Sequence, residues 1–254
     1  MADEFNVSWL GVGVSGGYQA ARRGPSMSAG GDKEAFDKVS HLLEKWAAKH
    51  DGTSCLGYMG PGGAGNYVKM CHNGIEHAQM GIMAELYGLL RHQAGLTNDE
   101  IADIMEAWYK DGMLSDNYLI QLGFIGLRRK DGDESMGRVE DGVIEAMDDK
   151  VVQDVDGTEG TGTWSNSETA IRHVAAPAFN ASHNLRTTSA RKGERIKTAE
   201  ALKLPQPGRF DVGDRDAFIK KVTGAAEAGV LAAFTQGFAV GRDLGTLKPC
   251  AGLD

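Results

Sequence analysis

Four polar or ionisable residues occur at helical spacing within one largely apolar segment. Lys69, His72, Asn73 and Glu76 occupy positions i, i+3, i+4 and i+7. On an α-helix Lys69 and Glu76 would be roughly 20° apart around the axis and about 10 Å apart along it. His72 and Asn73 would lie on the same face between them. The spacing therefore predicts a polar stripe on an otherwise apolar helix.

A stripe of this kind has the groups that proton transfer needs. A partly buried lysine near another cation can have a lowered pKa and act as a general base. A carboxylate at the other end of a bound substrate could then return a proton. The alternative is a solvated helix face that carries an ordinary charge pair. An inward-facing lysine and carboxylate would need each other or a ligand, because burying an unpaired charge is costly.

The elements that must position the stripe are mostly helices. Residues 66–94 have a helical, mainly apolar pattern and follow a glycine-rich turn over residues 60–65. Thr97 and Glu100 have the spacing of a capping box at the start of a further helix. The fold class is thus mainly α with a vestigial N-terminal strand, expected as a single helical domain over 1–254. It would comprise a residual strand and glycine-rich turn at 1–17 and a helical body at 33–254. Helices are expected at 33–50, 66–94, 98–110, 115–127, 139–152, 164–174, 176–203 and 214–244.

Three glycine motifs suggest other chemistry. Gly11-x-Gly13-x-x-Gly16 and Gly60-x-Gly62-x-x-Gly65 fit a dinucleotide fingerprint. That fingerprint also needs a second strand ending in an acidic residue about 20 residues later. The sequence pattern shows no such strand after either motif, which favours tight turns and close helix packing. Gly13-x-Ser15-x-Gly17 matches a nucleophile elbow, but the helical remainder argues against a hydrolase.

Composition narrows the class of protein. The net charge of −8, from 27 basic and 35 acidic residues, disfavours a general nucleic-acid binder. No apolar run approaches the roughly 20 residues needed to span a bilayer, and the polar, acidic start is unlike a signal peptide. The three cysteines are far apart, which favours reduced thiols in the cytoplasm over disulfides or a zinc site. No nucleic-acid partner, membrane association or metal is expected.

Four blocks, in order along nearly the whole chain, resemble signature segments of the 6-phosphogluconate dehydrogenase family. The first is a serine-glycine-glycine segment, Gly13–Gly17, with its continuation Ala21–Ser26, and the second is a catalytic-helix segment, Lys69–Glu76. The third is a substrate-loop segment, Gly160–Trp164, and the fourth is a basic segment formed by Arg186 and Lys192–Arg195. The resemblance implies that Lys69 is the general base and then acid at the third carbon of the sugar, and that Glu76 protonates the enediol left by loss of carbon dioxide.

The resemblance also implies a substrate-binding set. The substrate carboxylate and hydroxyls would be held by Ser15, Gly16, Gly17, His72 and Asn73. Thr161 and Arg186 match positions that bind the phosphate, and His77 stands where the family has a substrate-contacting tyrosine.

Other positions depart from the family pattern. Glu159 and Thr163 replace two lysines of the substrate loop. An anion in place of a cation near the phosphate weakens phosphate binding by several kcal/mol. Each pair of unit charges at 4 Å contributes about 4 kcal/mol in a medium of intermediate polarity. This predicts that 6-phosphogluconate is a poor substrate. The chain is also expected to lack the family's NADP-binding Rossmann domain, its second helical half and its C-terminal tail, so no cofactor is expected.

Three functions fit these expectations. The first is a redox-independent enzyme that uses Lys69 and Glu76 for enolisation, decarboxylation or cyclisation of a small keto or enol substrate. The second is NADP-dependent, decarboxylating 6-phosphogluconate dehydrogenase activity, with a partner chain supplying the cofactor domain. The third is a non-catalytic ligand-binding or structural protein. In each case a homodimer is expected, because the apolar helix around Ala225–Val240 needs a cover and family members dimerise through such helices.

Overall fold

The computed structural model describes residues 7–129, 160–205 and 208–242, so the helix predicted over 139–152 lies outside the described residues. The chain forms two compact units. The first comprises the described residues within 1–75, 161–176 and 235–254, and the second those within 76–160 and 177–234. The single domain expected over 1–254 remains a prediction.

The first unit contains a three-stranded sheet with strand order β1-β2-β5. Strand β1 (Leu10–Ser15) pairs antiparallel with β2 (Ser26–Gly31), and β2 pairs parallel with β5 (Leu56–Gly60). Helix α1 (Gly17–Arg23) connects β1 to β2, and helix α2 (Lys33–Trp46) lies between β2 and β5 in the sequence. A short hairpin of β3 (Lys49–His50) and β4 (Thr53–Ser54) precedes β5.

The sheet is larger than the single predicted strand. Strand β2 has the sequence Ser-Met-Ser-Ala-Gly-Gly, which carries no alternating apolar pattern. It is a strand because it is paired on both edges, and Met27, Ala29, Gly30 and Gly31 are buried there. Tertiary pairing thus overrides the weak local propensity of these small residues.

The predicted long helix is present as α3 (Ala64–Gly88), which ends in a π-helical turn at Leu89–Gln93. The residues of α3 up to Ile75 belong to the first unit and the rest to the second. Helix α6 (Thr161–Ile171), described after the gap at 130–159, also belongs to the first unit.

The second unit packs helices around an apolar core. They are α4 (Asn98–Lys110), α5 (Tyr118–Arg128), α7 (Pro177–Ser189), α8 (Lys192–Leu202) and most of α9 (Arg215–Arg242). Leu90, Ile101 and Ala102 of the core are completely buried. The predicted capping box is confirmed: the Thr97 hydroxyl accepts from the Glu100 N–H, and the Glu100 carboxylate accepts from the Thr97 N–H.

One long helix predicted over 176–203 is instead the two helices α7 and α8. Two hydroxyls at the end of α7 bond back to main-chain carbonyls, since Thr187 Oγ1 donates to His183 O at 2.9 Å and Ser189 Oγ to Arg186 O at 2.6 Å. Such bonds compete with the helical ladder and favour its termination. The mainly α fold class is confirmed. Among the described residues, no helix has the length and apolarity needed to cross a membrane.

Candidate functional site

Glycines set the position of Lys69 by letting the start of α3 contact the sheet directly. A Cβ atom built on Gly65 would lie 2.3 Å from the Ser28 carbonyl oxygen and 2.7 Å from that of Gly11. A Cβ atom on Gly13 would lie 2.5 Å from Lys69 Cβ. Only glycine fits such contacts, so the main chains of β1, β2 and α3 pack against each other. The packing predicted for the glycine of the second motif is thereby confirmed at Gly65.

A hydrogen-bonded group of four side chains lies where β1 ends against α3. Lys69 Nζ donates to Asn73 Oδ1 and lies 3.3 Å from His72 Nδ1. His72 Nδ1 is 3.2 Å from Asn73 Oδ1, and His72 Nε2 is 3.4 Å from Ser15 Oγ. Lys69 and Asn73 are half-buried, whereas His72 is exposed. Three residues of the predicted stripe, Lys69, His72 and Asn73, are therefore linked to the end of a strand through Ser15.

The turn after Ser15 brings the other glycines to the same place. Gly16 has φ 136° and Gly17 has φ 58°. Both values lie in the region that favours glycine, since a Cβ atom would be strained there. Ser15, Gly16 and Gly17 therefore form the end of β1 and the entry into α1, next to the hydrogen-bonded group that includes Lys69.

Thr161 is the first residue of α6 and is half-buried. The same helix carries Glu168, which accepts from Tyr67 Oη of α3 at 3.0 Å and from Arg172 Nε at 2.6 Å. The Arg172 guanidinium lies 5.6 Å from the centre of the Tyr67 ring. Sequence reasoning missed this network. The i, i+4 pair of Glu168 and Arg172 could have been found from its spacing, but Tyr67 is 101 residues from Glu168 in the chain.

The network changes the ionisation of its members. The Arg172 hydrogen bond holds the pKa of Glu168 below its ordinary value, so the carboxylate stays charged. Burial, followed by the bond to Glu168, raises the pKa of Tyr67. Burial also raises the pKa of the nearby Cys71 thiol to about 12, with a further contribution from Glu168. Tyr67 and Cys71 are therefore neutral at physiological pH.

The remaining predicted site residues belong to the second unit. Glu76 and His77 are half-buried on α3, and Arg186 is half-buried on α7. Helix α7 packs on α3 where Ser182 Oγ donates to the Ala78 carbonyl at 3.5 Å. Arg186 thus lies one turn beyond the residue at which α7 contacts the part of α3 that follows His77.

Among residues 7–129, 160–205 and 208–242, no three His, Cys, Asp or Glu side chains are grouped so that they could hold a metal ion.

Comparison with known proteins decides the family. Residues 65–246 match the model of the 6-phosphogluconate dehydrogenase C-terminal domain, and residues 1–60 match that of the NAD binding domain of 6-phosphogluconate dehydrogenase. The chain belongs to the 6-phosphogluconate dehydrogenase family. The resemblance inferred from the four sequence blocks is thus confirmed.

Individual relatives agree with this assignment. The chain is 44% identical over 245 residues to a decarboxylating 6-phosphogluconate dehydrogenase of Emericella nidulans, covering 93% of the chain and 49% of the relative. It is 40% identical over 238 residues to one of Lactococcus lactis, covering 93% and 48%. The chain spans about half the length of the curated relatives it matches.

A solved structure shows the same fold. It is Plasmodium falciparum 6-phosphogluconate dehydrogenase, described in its apo form, with its cofactor NADP+ and with its substrate 6-phosphogluconate. The TM-score is 0.82 at 30% sequence identity, over 96% of this chain and 50% of that one.

The family assignment corrects two expectations. The prediction of no cofactor is wrong, because residues 1–60 match an NAD binding domain. The error came from taking the absence of a second apolar strand pattern as the absence of the domain, whereas the glycine-rich β2 is a strand without such a pattern. A redox-independent reaction has no support among the matched relatives, which are named as dehydrogenases.

The described residues do not themselves form a pyrophosphate site. The first glycine motif follows β1, but the next strand β2 is antiparallel to it, so these elements do not form a βαβ unit. The parallel connection from β2 through α2 to β5 begins at Asp32, whose carboxylate caps α2 by accepting from Glu34 N and Ala35 N. A negative charge at that helix start opposes a bound phosphate.

Proposed function

We propose that this chain takes part in NADP-dependent oxidative decarboxylation of 6-phosphogluconate. Support comes from the family assignment and from the group formed by Ser15, Lys69, His72 and Asn73. That group supplies an amine, an imidazole, an amide and a hydroxyl at one place, which suits a polyhydroxylated acid.

Lys69 is the proton-transfer group at the third carbon in this proposal. Its amine takes the proton of the C3 hydroxyl as that carbon is oxidised and later returns a proton to the C3 oxygen. Asn73 Oδ1 and His72 Nδ1 orient the amine, and orientation is a main source of general-base efficiency. Glu76, seven residues further along α3, protonates the enediol that remains when carbon dioxide is lost.

The other residues bind the substrate in this proposal. Ser15, Gly16, Gly17, His72 and Asn73 hold the carboxylate and hydroxyls. Thr161 and Arg186 bind the phosphate, and His77 contacts the substrate. Glu159, which lies outside the described residues, is the position expected to weaken phosphate binding.

The hydride acceptor would be held largely by residues other than those described. Because Asp32 occupies the start of α2, the NADP+ pyrophosphate would bind to another part of the protein or to a partner chain. The reaction steps assigned to this chain are therefore the proton transfers and the binding of the sugar acid.

We also propose a cytoplasmic homodimer. Leu231 and Phe234 on α9 are 57% and 38% exposed, and apolar side chains of this size favour burial in an interface. Light scattering tests this, and a monomer at micromolar concentration would contradict it.

Two variants test the reaction. Lys69→Met and Glu76→Gln should each lower NADPH formation from 6-phosphogluconate by at least about 100-fold, since general acid–base catalysis contributes 10²–10⁴-fold. Exposed residues of α2 supply the matched controls Lys38→Met and Glu34→Gln, which should retain full turnover. Unchanged turnover in both test variants would contradict the assigned roles. Absence of calorimetric binding of both 6-phosphogluconate and NADP+ would instead favour a non-catalytic protein.

A further inference from the structure

The face of α6 that carries Thr161 is the face that contacts α3. Thr161, Ser165, Glu168 and Arg172 are spaced by four, three and four residues, so they lie within roughly 40° of one line along the helix. Ser165 is 1% exposed, whereas Thr163, off this line, is exposed. Glu168 and Arg172 make the described contacts with Tyr67 of α3 from this same line.

Tyr67 lies on the opposite side of α3 from Lys69. The two are two residues apart on α3, which separates them by about 200° around the axis. Lys69 faces the sheet at Gly13, while Tyr67 faces α6. Helix α3 is thereby held by main-chain contact on one side and by a charged hydrogen-bonded network on the other.

We propose that Tyr67, Glu168 and Arg172 are positioning residues that set the rotation of α6, and hence the place of Thr161 relative to Lys69. This rests on the proposed function, in which Thr161 binds the substrate phosphate. Glu168 is the central member because it accepts from both neighbours, and its side chain is only 24% exposed. Charge-assisted hydrogen bonds in partly buried places are shorter and about twice as strong as neutral ones.

A small rotation has a large effect at the end of the helix. Side chains lie about 5 Å from a helix axis, so a turn of roughly 20° moves the Thr161 hydroxyl by about 2 Å. A misplacement of about 1 Å can cost up to 100-fold in an interaction that depends on geometry. The loss should fall mainly on the phosphate, because the main-chain contacts with the sheet hold the part of α3 that carries Lys69, His72 and Asn73 even when α6 rotates.

The test compares binding of 6-phosphogluconate and of gluconate to the full chain by calorimetry. Tyr67→Phe keeps the ring and removes the bond to Glu168, and Glu168→Gln keeps the shape and removes the charge. Each should weaken 6-phosphogluconate binding about tenfold and gluconate binding less than twofold. The loss in the double variant should be smaller than the sum of the two single losses, because both changes weaken the bond between Tyr67 and Glu168. Asp37→Asn, which breaks another i, i+4 pair in the first unit, should change neither affinity.

Equal losses for the two ligands, or no loss for either, would overturn the positioning role. If the unaltered chain binds neither ligand, the proposed function fails, and hydrogen exchange then decides the positioning role by itself. In that case Tyr67→Phe should raise exchange at least fivefold at the Ser165 and Asn166 amides in the first turns of α6. Unchanged exchange there would refute the positioning role, whereas Asp37→Asn should leave those amides protected.

Discussion

Substituting Gly13 by alanine tests whether main-chain contact between β1 and α3 positions Lys69. The added Cβ atom would lie 2.5 Å from Lys69 Cβ and 2.7 Å from the Gly65 carbonyl oxygen. Carbon atoms normally approach no closer than about 3.5 Å, so the strand and the helix must separate by about 1 Å. Neither close neighbour can swing away, since one is a main-chain atom and the other the first atom of a side chain.

Overpacking of this kind costs about 1–3 kcal/mol. In a chain of this size each kcal/mol lowers the unfolding midpoint by about 2–4 °C, so Gly13→Ala should lower it by about 2–12 °C. The separation also moves Lys69 and His72 away from Ser15, and binding of 6-phosphogluconate should weaken by at least tenfold. Thermal unfolding followed by circular dichroism measures the first effect, and calorimetry measures the second.

Gly63→Ala is the matched control. Gly63 is exposed, and a Cβ atom there would meet nothing within 4 Å. Both the midpoint and the affinity should stay at their original values. If Gly13→Ala unfolds at the same temperature as the unaltered chain, main-chain contact does not set the spacing of β1 and α3.

Three further predictions concern ionisation. The pKa of Glu100 lies at about 2, chiefly because the Thr97 N–H donates to its carboxylate and because Arg215 does so as well. Its contribution to stability is therefore complete above its ordinary pKa of about 4.3 and is lost as the pH falls towards 2. The difference in urea midpoint between the unaltered chain and Glu100→Gln should accordingly shrink over that interval. Cys71, whose pKa is about 12 because it is buried, should be alkylated at pH 8 at less than a tenth of the rate of a free thiol. Glu159→Lys should tighten 6-phosphogluconate binding at least about tenfold, because it replaces repulsion of the phosphate by attraction.

Each of these has its own control. Between about pH 6 and pH 7, where the contribution of Glu100 is complete, the difference for Glu100→Gln should stay constant, and a difference that stays constant down to pH 2 would refute the assigned cause. Cys71 should react at the ordinary rate in urea, and rapid alkylation in the native state would show that the thiol is accessible. For Glu159→Lys, gluconate is the comparison ligand, and an equal gain for both ligands would contradict a phosphate-specific effect.

The sequence was most informative where the residues that form a sequence pattern also contact each other in the folded protein. The capping box of Thr97 and Glu100 depends on residues three apart, so its pattern predicted both the helix start and its hydrogen bonds. The polar stripe was predicted in the same way, because Lys69, His72 and Asn73 lie within one and a half turns of one helix.

The sequence was least informative where a contact joins distant segments. Strand β2 was missed because the small residues that allow α3 to approach it are also those with weak strand propensity. Gly30 illustrates this, since a Cβ atom there would lie 2.4 Å from the Gly65 nitrogen. The bond from Tyr67 to Glu168 was missed because nothing local relates two residues that meet only in the folded first unit.

The glycine contacts also determine which sequence changes the first unit can tolerate. Because main-chain atoms fix the gap between β1 and α3, the separation of Ser15 and His72 does not depend on the volume of any apolar side chain. Elsewhere in the unit, residues can be exchanged and the packing readjusted without altering this separation. Such an arrangement makes the dimensions of the polar group depend on Gly13 and Gly65 more than on the packing of the rest of the unit.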